Sequence, residues 1–180
     1  MTSQVIVSNR EPSVMEVFIL ALIGKAGLTS LYAFQQQAGL QPGGIRPALE
    51  RLEKQNLIER AESASRQKRN LSLTDEGSRF LNAVWKECLG DHSETEAVLR
   101  AVCIALLMGA QEKAAEYLQS LATTRRYAAE AKSLEAEQLG KTQKDPMSTY
   151  TWMRALTEAR RRSAESEAFL ELGQYMETKK

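Results

Sequence analysis

The chain has 180 residues, with 24 lysines and arginines against 23 acids and a formal net charge of +1. That balance excludes a globally polybasic protein, so any contact with nucleic acid has to come from local clustering. A single histidine, two cysteines without C-x-x-C spacing and no apolar run of bilayer length argue against a metal centre, a redox pair and a membrane span.

Residues 1–11 are polar around a brief Val5-Ile6-Val7. The first predicted helix covers 12–24, with Ser13 and Glu16 spaced as a capping box and Val14, Val17, Phe18, Ala21 and Leu22 as its core stripe. Gly24 and Gly27 break it. A second helix, 30–38, closes at Gly39, with Leu31 and Phe34 one turn apart. Tyr32 is expected to pack, because aromatics at helical spacing usually fill cores. The short turn Gly39-Leu40-Gln41-Pro42 leads into a third helix, about 42–55. There Ile45, Ala48, Leu49 and Leu52 make one apolar stripe, and Gly43, Gly44, Arg46, Pro47, Glu50, Arg51 and Lys54 lie off it. Pro42 suits a first-turn position, where no N–H is needed, and Asn56 suits a left-handed helix end.

Residues 57–61 and 69–74 read as two strands, with Leu71 and Leu73 on one face and Asn70 and Ser72 on the other. The tip between them carries Arg66, Lys68 and Arg69, with Arg60 nearby and no acid from 63 to 72. Helix, turn, helix and a basic-tipped hairpin form the pattern of a winged helix-turn-helix. Thr74 is placed to cap a fourth helix through the N–H of Gly77, and Phe80, Leu81, Val84, Trp85 and Leu89 supply its apolar face. No strand signal follows. Residues 94–108 form a strongly apolar helix and 111–139 a long Ala-, Glu- and Lys-rich one, striped by Leu118, Leu121, Ala128, Ala131, Leu134 and Leu139. A last helix is expected to start at a Ser148 cap and run to about 176. Its seam is Trp152, Leu156, Ala159, Ser163, Ser166, Leu170 and Gly173.

The expected fold class is therefore mainly α: a winged helix-turn-helix with a two-stranded β wing over 12–90, then an α-helical dimerisation domain over 91–180. Gly43, Ile45, Pro47, Leu49, Arg51, Leu52 and Glu53, then Leu57 and Ile58, then Leu73, Thr74, Glu76 and Gly77 carry a resemblance to the PadR-type transcriptional regulators. That family has a recognition helix of the form S-x-G-x-[LI]-Y-P-x-L-x-R-L-E and an L-T-x-x-G tail. The proline inside the helix is the most specific match, since an internal proline costs a helix about 3 kcal/mol. The resemblance covers half the chain. It departs at Gln41, Gly44 and Arg46, all near the expected DNA-facing end, so no operator sequence carries over.

The resemblance implies a repressor of double-stranded operator DNA. The apolar 94–108 helix and the seam of the last helix need a partner to cover them, which points to a homodimer and hence a palindromic operator; the thiols and the lack of an export signal point to the cytoplasm, and no cofactor is expected. Members of the family often sense small aromatic or lipophilic compounds, so the resemblance implies an effector pocket; Trp85 and Trp152 are its candidate lining residues, against the alternative that both are ordinary core aromatics. The residues themselves nominate Gln41, Gly43, Gly44, Arg46, Pro47, Glu50 and Arg51 on the recognition helix, and Arg66, Lys68 and Arg69 on the wing, as DNA contacts. No enzyme constellation is present: His92 has no partner at metal spacing, Gly43-Gly44 lacks the phosphate-loop pattern, and Cys88 and Cys103 read as reduced, buried thiols. The alternative is a winged helix that serves as a protein-interaction module without specific DNA binding. The mixed charge of the recognition helix, Glu50 and Glu53 against Arg46 and Arg51, keeps that alternative open.

Overall fold

The computed structural model describes residues 12–61 and 70–178, and the chain divides into two compact units at the Gly109–Ala110 junction. The first unit is built around α1 (Val14–Gly24). Its start is fixed by the expected capping box. The Ser13 hydroxyl accepts from the Glu16 N–H, and the Ser13 N–H donates to the Glu16 carboxylate at 2.8 Å. Every residue from Val17 to Ile23 is buried, a wider burial than one stripe, with Ile19 and Leu20 as inaccessible as Val17. A helix that is apolar all round must be covered on all sides, and α3, α4, β2 and α5 pack on it.

α2 (Leu31–Ala38) begins at the Ser30 cap and ends at Gly39, whose φ of 63° is the left-handed conformation glycine adopts without penalty. Its anchor is Phe34, fully buried. Tyr32, expected in the core, is instead 70% exposed. Residues two apart lie on nearly opposite sides of a helix, so a short helix that buries position 34 turns position 32 outward. α3 (Pro42–Lys54) buries Ile45, Ala48, Leu49 and Leu52, as the stripe requires, and the chain leaves it through Asn56 at φ 57°.

β1 (Ile58–Ala61) pairs antiparallel with β2 (Asn70–Leu73), with Ile58 opposite Leu73 and Arg60 opposite Leu71. Leu57 ends the ladder: its carbonyl still accepts across the strands from the N–H of Thr74, the residue opposite it, at 3.2 Å, but its N–H turns back to the Leu52 carbonyl at 2.9 Å. β2 also ties back to the helices, the Leu71 N–H donating to the Thr29 carbonyl at 2.9 Å.

α4 (Asp75–Val84) starts at Thr74 and tightens into a 3-10 segment, Trp85–Leu89; Gly77, Leu81, Trp85 and Cys88 form its buried face. α5 (Thr95–Leu107) buries Val98, Ala101, Val102, Ile104 and Ala105. The sequence groups this helix with the C-terminal half. In the structure it packs on α1, inside the first unit.

The second unit is a hairpin of two long helices, α6 (Gln111–Gly140) and α7 (Pro146–Thr178). They run antiparallel, since Gln119 bonds Glu177, Ser166 donates to the Ala122 carbonyl, and Trp152 lies against Gly140. Small residues bring the helices close. A side-chain carbon at Gly173 would already touch Gln119, the Ala115 carbonyl and Leu118 at 3.4–3.6 Å.

Three expectations are corrected in this unit. On α7 the buried positions are Ala155, Ala159, Phe169 and Gly173, while Ser163 and Leu170 face outward. Between Ala159 and Phe169 the inward positions are polar: Arg125 of α6 pairs with Glu165 at 3.5 Å, both nearly buried. On α6 the close approach selects Ala114, Ala122, Ala129 and Ala136, leaving Ala131 and Leu134 exposed. Finally, Asp145 rather than Ser148 caps α7, its carboxylate accepting from the N–H groups of Met147 and Ser148 at 2.9 and 3.0 Å. Ser148 instead accepts from the N–H groups of Lys144 and Asp145.

Candidate nucleic-acid interface

α3, the helix expected to meet DNA, is held by its apolar stripe, so its opposite side faces outward. Gln41, Gly43, Gly44, Arg46, Pro47, Glu50 and Arg51 are all exposed. The helix N-terminus therefore opens onto solvent, but Pro42 has no N–H and the Gly44 N–H is taken by the Gln41 carbonyl at 3.1 Å, which leaves Gly43 as the first-turn residue whose N–H could meet an anion. Pro47 has no N–H to give the carbonyl of Gly43, so that acceptor lacks its normal helical donor on the same exposed turn.

The two glycines are not demanded by the fold. Neither has a positive φ, a side-chain carbon at Gly43 would meet nothing within 4 Å, and one at Gly44 would touch only the tip of Met15 at 4.0 Å. Glycine inside a helix is nonetheless less stable than alanine by about 0.5–1 kcal/mol. The surface is thus kept bare at a cost in stability.

Two arginines near this face are engaged within the unit. Arg51 donates through Nε to Glu16 of α1 at 2.5 Å. Arg60 on β1 donates to Glu53, in the last turn of α3, at 2.7 Å. Burial alone would raise the Glu16 pKa, but the hydrogen bond from Arg51 and those from Ser13 outweigh it and hold the carboxyl below its ordinary 4.5. Sequence alone does not reveal the Glu16–Arg51 pairing. Glu16 is legible as a cap, but nothing local marks a partner 35 residues away.

Arg66, Lys68 and Arg69 of the wing tip lie outside the described residues. Trp85 is buried in the first unit, and Trp152 is half-buried against Gly140 in the second, so each indole is accounted for by packing in its own unit. A hollow of about 510 Å³ at the start of α7, lined by Lys144, Asp145, Tyr150 and Met153 among others, includes neither.

Among the described residues no group of side chains could hold a metal ion, and no helix is long and apolar enough to cross a membrane. Cys88 is a poor nucleophile: burial, reinforced by Glu87, pushes its thiol up to about 11. His92 is bound to the Cys88 carbonyl at 2.7 Å.

These elements define a winged helix-turn-helix followed by helices, with a two-stranded wing directly after α3. No protein-family model matches the chain, and no curated protein does. Among solved structures it is similar to the crystal structure of Bacillus subtilis PadR in complex with operator DNA. The two share 18% sequence identity over 91% of this chain and 99% of that one, with a TM-score of 0.35.

Proposed function

We propose that this chain is a sequence-specific DNA-binding transcriptional regulator of the PadR type, acting as a homodimeric repressor. The observation that carries the reading is the bare first turn of α3. Gly43 and Gly44 are glycines the fold does not need, placed where a recognition helix would meet a duplex. Small residues there let the helix backbone approach phosphate or base edges, and Arg46 beside them can read guanine in the major groove. The wing cations Arg66, Lys68 and Arg69 would add phosphate contacts. Two recognition helices spaced about 34 Å apart on a palindromic operator require a second copy, and the helical C-terminal half would supply the pairing.

Selection of bound sequences from a random duplex pool, followed by titration at two salt concentrations, tests this reading. A regulator gives a selected sequence, a steep salt slope and affinity well above that for bulk DNA. Retention of no duplex, or weak binding without sequence preference, would favour the protein-interaction alternative. That alternative draws on the internal pairing of Arg51 and Arg60, which leaves Arg46 and Lys54 as the cations of α3 without an ion pair among the described residues.

A further inference from the structure

We infer that Glu16 is a positioning residue for DNA recognition, acting through Arg51 to set the recognition helix against α1; this rests on the DNA-binding reading above. The carboxylate is divided between two tasks. Its Oε2 accepts from the N–H and hydroxyl of Ser13, at 2.8 and 3.0 Å, and so completes the cap of α1. Its Oε1 accepts from Nε of Arg51 at 2.5 Å, and so ties α3 to the same point. The Glu16 side chain is 11% exposed and that of Arg51 48%. The acid is the fixed member of the pair, and the arginine reaches down to it from the helix surface.

The placement supports positioning rather than direct contact. Arg51 lies one turn beyond Pro47 and two beyond Gly44, on the flank of α3 that runs alongside the start of α1, where Met15 approaches Gly44. A helix held only by Ile45, Ala48, Leu49 and Leu52 can slide or roll on an apolar surface. A charge-assisted bond with fixed direction removes that freedom. The Arg60–Glu53 pair restrains the other end of α3 against β1. Base readout depends on sub-ångström placement of the helix, so the ionic tie is expected to govern discrimination more than total affinity.

Glutamine at an N3 position also completes a capping box. Glu16→Gln therefore keeps the cap of α1 and removes only the ionic tie. The experiment uses the full chain with two probes, a duplex selected from a random pool by the unsubstituted protein and poly(dI-dC) as bulk DNA. E16Q is expected to lose roughly tenfold in affinity for the selected duplex, with affinity for poly(dI-dC) and the salt slope unchanged. R51Q should behave the same way, and the double variant should lose no more than either single one, since the two residues act as one unit. A merely structural role would leave the ratio of specific to bulk affinity where it was in the folded variants. Thermal unfolding of each variant confirms that the fold is retained.

If R51Q weakens both probes together and flattens the salt slope by about one unit, Arg51 is a phosphate contact and the inference is overturned. If E16Q binds the selected duplex as the unsubstituted chain does, it is overturned as well. If the unsubstituted chain retains no duplex at all, the DNA-binding reading itself fails and takes this role with it. The two failures are therefore distinguishable.

Discussion

A side-chain carbon at Gly77 would lie 1.9 Å from the carbonyl oxygen of Leu57. The first turn of α4 is pressed directly onto the backbone where α3 gives way to β1, and Thr74 reinforces the seam. Its hydroxyl donates to the Asn56 carbonyl at 2.6 Å while accepting from the Gly77 N–H at 2.9 Å. Gly77→Ala must push backbone from backbone, which a rotamer change cannot relieve. It should cost at least about 1–3 kcal/mol, the ordinary range for overpacking. Thr74→Val, which keeps the shape and removes both hydrogen bonds, should cost about 1–2 kcal/mol. Urea unfolding followed by circular dichroism measures both, and an unchanged midpoint for Gly77→Ala would contradict the geometry.

Much of this half is legible in the sequence because its signals are local. The Ser13–Glu16 box, the Thr74–Gly77 cap and the left-handed Asn56 are each decided within three or four residues, and all three occur as read. What the sequence hides depends on what packs against what. Tyr32 has a core residue's chemistry but sits on a helix too short to bury both it and Phe34. Of the seam read on α7, Ala159 and Gly173 are buried, but Ser163 and Leu170 fit it only by spacing, and the antiparallel partner selects Ala155 and Phe169 instead. At the site, exposure of the residues off the apolar stripe follows from periodicity. The capture of Arg51 by Glu16 does not, because a contact across 35 residues leaves no periodic trace.

Acid should expose the Glu16 tie. Its carboxyl is held below 4.5 in the folded chain, so the charged form is favoured by folding. A depressed pKa contributes stability that is fully present above the unfolded value and is lost as pH falls through the folded one. The unsubstituted chain should therefore lose stability below pH 4.5 more steeply than E16Q, in which position 16 cannot titrate. Urea midpoints measured down the pH scale compare the two slopes, and parallel curves would mean that the pair contributes nothing to stability.

The place of α5 predicts where the chain can be cut. Val98 and Ile104 are fully buried within the first unit, where α5 covers α1. Each such side chain contributes roughly 1.5–3 kcal/mol when buried. A chain ending at Gly109 should unfold cooperatively, whereas one ending at Gly90 leaves one side of α1 bare and should be unstable or aggregate. Differential scanning calorimetry of the two fragments decides it. A Gly90 fragment as stable as the longer one would show that α5 is dispensable to this core.

The bare turn of the recognition helix gives a sharper test of function than removal of any single charge. Alanine fits at Gly43 and Gly44 without strain, so G43A and G44A should each stabilise the protein, by up to about 0.5–1 kcal/mol. If the glycines are there to let a duplex come close, the same substitutions should weaken binding to the selected sequence, since each methyl stands where DNA backbone or a base edge would lie. Arg46→Ala should then cost about 1–3 kcal/mol of discrimination if the side chain reads guanine, and its effect should not add simply to that of G43A on the adjoining turn. Stability and binding moving in opposite directions distinguish a functional surface from a structural one. Stability that rises while binding is untouched would leave the glycines without a role in recognition and would remove the strongest support for DNA contact at this face.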